Sequence, residues 1–291
     1  MSGFTDEAAS GIDKQIQACK ELGWKWIDLR AVEGENITNV SDEKFDEVCT
    51  KLWEAGIGVS SFGSEIANWG RKISEPPDRD YQELKWAVPR MHRLGVKMIR
   101  IMSYNAPQGR VGEHPEIEKE IIKRLKEMVR MAEGEGIVCV HENCETWGGQ
   151  SPEHTRLLLD RIDSTSFKLA FDTGNPFAIP DRSVRGPFPY QDALQFYREV
   201  SAHVAHVHIK DGRMEGDNPV YTFPGEGDCR VPEILAEMHE NGYQGGFSIE
   251  PHIAVVFHDP SIIASEEYRW DTFIEYGRRT ERLINQAGYG W

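Results

Sequence analysis

The sequence predicts a single (β/α)₈ barrel, a TIM barrel, spanning residues 1–291. Three observations carry that expectation. Short β-rich runs alternate with longer amphipathic stretches, the mark of parallel βαβ units. The alternation recurs eight times at roughly 30–40 residues, close to the spacing of a barrel of about 250 residues. Strand after strand ends in a polar residue, and barrels of this type carry function at the C-terminal ends of their strands.

The strand runs fall at 24–30, 57–63, 96–102, 137–143, 167–172, 204–209 and 247–250, with a short first strand around 2–5. Helical patterns lie between them at about 11–22, 43–55, 81–94, 116–134, 151–162, 190–201, 231–241 and 270–287. Several helices stop at a glycine before the next strand, as in ELGW, EAGI, RLGV, EGI and ENGY. Glycine there suits the left-handed residue that closes a helix. A doubly wound sheet is the rival, but no GxGxxG turn follows the first strand. Long loops at 176–190, 211–230 and 251–268 follow strands, where lids and binding loops are common.

Composition narrows the partners. The net charge of -15 repels polyanions, which argues against nucleic acid and anionic membrane surfaces. No apolar run approaches the ~20 residues of a membrane helix. The opening MSGFTDEAAS is polar and acidic, unlike a secretory signal, and the expected location is cytoplasmic. Five cysteines, Cys19, Cys49, Cys139, Cys144 and Cys229, match no zinc spacing and read as reduced thiols.

Strand alternation selects the candidate chemistry, because residues two apart share a face. Val138, Val140 and Glu142 share one face, and Lys168, Ala170 and Asp172 another. His206, His208 and Lys210 share a third, and Ser248 with Glu250 a fourth. If these faces point inward, Glu142, Asp172, His208 and Glu250 meet at the barrel mouth from consecutive strands. A lone acid at a strand end is most often solvated or a helix cap. Three carboxylates and an imidazole in one mouth repel one another without a cation, and a divalent metal resolves that cost. The oxygen-rich set favours Mn²⁺, with Mg²⁺, Co²⁺ or Zn²⁺ as alternatives. His206, one layer deeper, reads as a hydrogen-bonded core residue.

These motifs resemble the sugar phosphate isomerase/epimerase superfamily, the xylose isomerase-like barrels. GFTDEA, KELGWKWIDLR, HEN, FDTGN, HVHIKD, PGEGD and FSIEP carry the resemblance across essentially the whole chain. It implies that Glu142, Asp172, His208 and Glu250 are the metal ligands, and that Glu142 and Glu250 also move the proton. Members are often dimers or tetramers. Two positions depart from the ketose 3-epimerases: Asn175 stands where those enzymes have a histidine, and Gly148 where they have a glutamate. Both are substrate-gripping positions.

The function expected is a divalent-metal-dependent sugar isomerase or epimerase. It would abstract a proton next to a carbonyl and pass through a metal-stabilised enediolate. A lyase or dehydratase acting on keto-sugars or 3-keto-glycosides shares the same first step. An endonuclease IV-like phosphodiesterase is disfavoured by the charge and the sparse histidines, and a non-catalytic sugar binder by the two flanking glutamates. Lys210 is a candidate acid or oxyanion partner. Arg100, Glu145, Asn175 and His252 are candidate substrate-binding groups. His258 could close over substrate, and Trp69 and Trp147 could stack on a sugar face.

Overall fold

A computed structural model describes residues 1–256 and 259–290. Eight parallel strands form the barrel: β1 (Ser2–Gly3), β2 (Trp26–Leu29), β3 (Gly58–Phe62), β4 (Met98–Ile101), β5 (Val138–Glu142), β6 (Phe167–Asp172), β7 (Val204–Ile209) and β8 (Gly246–Ile249). Ladders run in chain order from β2 to β8, and β8 then pairs with β1. Between β1 and β2, Ser2 Oγ donates to Asp28 Oδ1 at 3.1 Å and nearly closes the ring.

The outer helices are α1 (Ile12–Glu21), α2 (Asp42–Ala55), α3 (Asp78–Leu94), α4 (Pro115–Glu133), α5 (Pro152–Ile162), α6 (Ala193–Val200), α7 (Val231–Glu240) and α8 (Glu266–Gln286). Each forms where the periodicity places it, with shifted ends. The shifts follow the caps: Asp192 accepts from Gln195 N at 2.8 Å and delays α6, while Ser265 accepts from Tyr268 N and starts α8 early. Gly56 and Gly95 end α2 and α3 at φ +67° and +69°, a backbone that favours glycine. Among the described residues, no helix is long and apolar enough to cross a membrane.

The long loops hold structure of their own. A hairpin of Gly212–Glu215 and Asn218–Tyr221 follows β7, another of Val255–Val256 and Asp259–Ile263 follows β8, and one helical turn, Asn175–Ala178, follows β6.

Strand faces divide the core. Ile27, Leu29, Ile99, Ile101, Val207 and Ile249 point outward and are buried beneath the helices. The inward face is polar. Asp28, His206 and Ser248 are buried there, and Asp28 Oδ2 accepts from His206 Nε2 at 2.6 Å. Burying a carboxylate costs free energy unless it is bonded, and Ser2, Ser60 and His206 all serve Asp28.

Ring closure leaves no room at Gly3, where an added Cβ would lie 2.8 Å from both Ile249 Cγ1 and Phe273 Cζ. Gly3→Ala is expected to cost about 1–3 kcal/mol in urea denaturation. An unchanged midpoint would show that the closure has slack.

Candidate functional site

Ladder register aligns the strand ends. Asp172 pairs with His208, His208 with Ser248, and Glu250 N donates to Ile209 O at 3.0 Å. Glu142, Asp172, His208 and Glu250 therefore converge, with one donor atom from each within 4.8 Å of the others. All four are buried.

Each carboxylate has one oxygen held by the protein and the other turned to the common centre. Glu142 Oε2 accepts from Arg100 Nη1 at 3.1 Å, while its Oε1 lies 3.4 Å from His208 Nδ1. Asp172 Oδ1 accepts from the backbone N–H groups of Gly174 and Asn175, both at 2.7 Å. Glu250 Oε1 accepts from Arg30 Nη1 at 2.8 Å. Asp172 Oδ2 and Glu250 Oε2 are buried without a hydrogen-bond partner and face the Lys210 ammonium at 3.0 and 2.9 Å. Inward-facing oxygens beside an imidazole nitrogen form a donor set that fits a divalent cation.

The motif residues around these donors hold the loops. Asn143 of HEN clamps β5 to β6: its amide donates to Asp172 O at 3.0 Å, and its Oδ1 accepts from Asp172 N at 2.7 Å. Thr173 of FDTGN donates to Lys210 O at 2.7 Å. Asp211 joins the HIKD and GEGD runs. Its carboxylate accepts from the N–H groups of Gly212, Gly225, Gly227 and Cys229 at 2.8, 2.7, 3.2 and 3.2 Å.

Charge around the centre is crowded. Burial pushes Asp172 up to about 7, with Lys210 opposing and Glu250 and Glu142 adding to the rise. Burial also opposes ionisation of Glu142, yet Arg100 and His208 hold it at about 2. Glu250 lies well below the usual range, because Lys210, His252 and Arg30 outweigh its burial. His208 rises to about 10 despite burial, through Asp28 and Glu142. The cluster retains protons and cations, as a centre short of positive charge does.

Among the described residues two further clusters have metal-like spacing. In one, Glu7–Glu250–His252, the Arg30 guanidinium already reaches Glu7 at 3.3 Å and Glu250 at 2.8 Å. In the other, Asp28–His206–His208, Asp28 is occupied by hydroxyls and by His206 inside the barrel.

A cavity of about 660 Å³ opens above the centre, with Glu142, Glu250, Lys210, Asn175 and Arg100 at its wall. Asn175 accepts from Lys210 Nζ at 3.1 Å and donates to Glu142 Oε1 at 3.4 Å. His252 is buried with Nε2 3.5 Å from Glu250 Oε1, and its ring stands edge-on to Tyr221. Glu145 is exposed and lines the rim, and Trp69 is half-exposed in the wall. Trp147 is buried against His154 and is absent from the cavity wall. His258 lies outside the described residues. Gly148 backs onto His141, where a Cβ would lie 2.7 Å from the ring and from Leu158 Cδ1, so no side chain reaches the cavity from there. Cys144 also lines the cavity, but burial and then Glu142 push its thiol well above the ordinary range, which argues against a thiolate nucleophile.

Sequence reasoning left Arg30 and Tyr221 out of the site. Arg30 ends β2 as the other site residues end their strands, and that signal was available. Tyr221 arrives on a hairpin and had none.

A parallel eight-stranded barrel with a cavity over its C-terminal strand ends and buried acids beneath defines a TIM-barrel protein with an enzyme-like mouth. The chain belongs to the xylose isomerase-like TIM barrel family, whose profile matches residues 16–271. It is 24% identical over 159 residues to an inosose dehydratase of Bacillus thuringiensis. That match covers 50% of this chain and 48% of the relative, so the chain spans about half of that protein's length. A xylose isomerase-like TIM barrel protein from Mycobacterium smegmatis, solved in complex with magnesium, superposes with a TM-score of 0.70 at 18% identity, covering 94% of this chain and 88% of that one. The 3-keto-D-glucoside 4-epimerase of E. coli superposes at 0.64 and 16% identity, covering 93% and 95%.

Replacing Asp211 by Ala removes the acceptor of four backbone N–H groups. The variant is expected to lose about 3 kcal/mol in denaturation and to gain protease cleavage between residues 212 and 229. Wild-type resistance would show that the loop holds without this clamp.

Proposed function

We propose that this chain is a divalent-metal-dependent sugar isomerase or epimerase acting next to a carbonyl. One observation carries the reading: three carboxylates each turn a single oxygen, beside His208 Nδ1, towards one centre under a cavity. Glu142, Asp172, His208 and Glu250 would hold the ion, with Mn²⁺ the first choice for so oxygen-rich a set. Bound there, it supplies Lewis acidity at a carbonyl oxygen.

The side chains do the rest. Arg100 keeps Glu142 ionised and fixed, so this carboxylate takes the proton from the carbon beside the carbonyl. Glu250, braced by Arg30, returns it. Return to the same carbon on the opposite face gives the epimer; return to the neighbouring carbon gives the aldose–ketose isomer. Lys210 donates to a substrate oxygen as charge grows there. Asn175, Arg100, His252 and the rim residue Glu145 bind substrate hydroxyls. The partner is a small carbohydrate. The net charge of -15 disfavours nucleic acid, and the free cysteines suit a reducing cytoplasm.

The likeness to an inosose dehydratase favours a second outcome, elimination of a β-leaving group after the same proton abstraction. A multi-metal phosphodiesterase fits less well, since Arg30 already pairs with Glu7 and Glu250 in the neighbouring Glu7–Glu250–His252 cluster.

Incubation of the Mn²⁺-loaded protein in D₂O with ketoses, inososes and 3-keto-glycosides is expected to place deuterium at carbon. Absence of exchange on all of them, with metal bound, would sink the reading. Glu142→Gln should abolish exchange while leaving the far-UV circular dichroism unchanged; near-normal exchange would remove Glu142 from the mechanism.

Lys210 and a divalent ion compete for Asp172 Oδ2 and Glu250 Oε2. Lys210→Gln should therefore bind Mn²⁺ about tenfold more tightly by calorimetry, roughly 1.4 kcal/mol, and melt lower without metal. Weaker Mn²⁺ binding would show that the ammonium and the ion do not share those oxygens.

A further inference from the structure

The cavity is larger than a single sugar needs. Even at the roughly 30 Å³ that one water occupies in the liquid, the about twelve heavy atoms of a hexose fill little more than half of its 660 Å³. The charged centre accounts for the inner end. The outer end is walled by two loops that follow β3 and β4, through Asn68 and Trp69 on one and Asn105 and Gln108 on the other.

These loops form a preformed clasp. Ala67 and Tyr104, one on each loop, hold the left-handed backbone at φ +55° and +70°, a conformation that costs about 1–3 kcal/mol in a residue with a side chain. They face each other across a hydrogen bond from Tyr104 N to Ala67 O. Asn105 continues the contact, accepting from Ile73 N at 3.0 Å and donating its N–H to Arg71 O at 2.8 Å. Behind the clasp, buried Asp80 accepts from Ala67 N at 2.9 Å, and Arg71 pairs with buried Glu83 at 2.7 Å. Ala67 and Tyr104 are buried one residue behind the wall residues Asn68 and Asn105, and strain held there, with a buried polar scaffold at its back, is the pattern of a ligand clamp.

What the two loops present is one indole, three amides and a single carboxylate, Glu65. An aromatic face suits the flat side of a ring, and neutral amides suit hydroxyls better than charges. Met102, beside the clasp, and Phe177 and Ile179, from the segment after β6, add apolar lining.

We propose that the substrate is a glycoside: a sugar ring seated over the charged centre, bearing a second, hydroxylated ring that occupies the subsite of Asn68, Trp69, Asn105 and Gln108. This rests on the proposed proton-abstraction reading for the inner ring, while the outer subsite stands on its own geometry.

Binding tests it apart from turnover. By titration calorimetry on the full chain, 4-hydroxyphenyl β-D-glucopyranoside is expected to bind about tenfold more tightly than methyl β-D-glucopyranoside, a typical gain for one stacked ring. Trp69→Ala should bring that ratio close to one, and Trp53→Ala, on the outer surface of α2, should leave it unchanged. Equal affinities, a ratio that survives Trp69→Ala, or no measurable binding of either glucoside would overturn the proposal. The deuterium-exchange assay is read separately. If no sugar exchanges but the aryl preference holds and depends on Trp69, proton abstraction falls and the outer subsite stands.

Discussion

Three carboxylates share one buried end of this barrel, and the surrounding structure is arranged to compensate them. Buried charge is tolerated only when paired and hydrogen-bonded. Arg30 comes from β2 to Glu250, Arg100 from β4 to Glu142, and Lys210 from the end of β7 to both Asp172 and Glu250. The Phe4 ring packs against both guanidinium groups, its centroid 4.2 Å from Arg30 Cζ and 5.1 Å from Arg100 Cζ. The two guanidinium groups come from the β2–β4 side of the ring, whereas Lys210 rises among the acids of β5, β6 and β8, so the acids are compensated only when the barrel closes.

The period of the chain explains how much was legible. Strand faces alternate strictly, so Glu142, Asp172, His208 and Glu250 could be read as sharing the inward face, and His206 as one layer below His208. All eight strands and their helices follow from the same periodicity. The hairpins after β7 and β8 were hidden, because short paired segments in loops depend on contacts far away in the chain. Asp211, for example, holds Gly225 and Gly227 from across a loop, and nothing local announces it. Arg100 and Arg30 were visible as strand-end charges, but their partners were not, since pairing needs the closed ring. Gly148 could be seen only as a departure from a glutamate; the structure supplies the reason, a His141 ring filling the space behind it.

The reaction is harder to read than the site. Epimerisation, isomerisation and elimination begin with the same proton leaving the same kind of carbon. What separates them is where the proton or the leaving group goes next, and that depends on substrate atoms rather than on the acids. A barrel that fixes the first step leaves the later ones open to small changes at its rim, which is how one fold hosts several chemistries.

The clasp between Ala67 and Tyr104 divides the labour of the mouth. The acids and the imidazole stand on β5 to β8, whereas the clasp belongs to the loops after β3 and β4 and is braced by Arg71, Asp80 and Glu83, none of which touches the acids. On the proposed reading, substitutions in these two loops, short of Arg100 which holds Glu142, would change which molecule is accepted and leave the acids in place. Descendants of such a chain would diverge in diet before they diverge in chemistry.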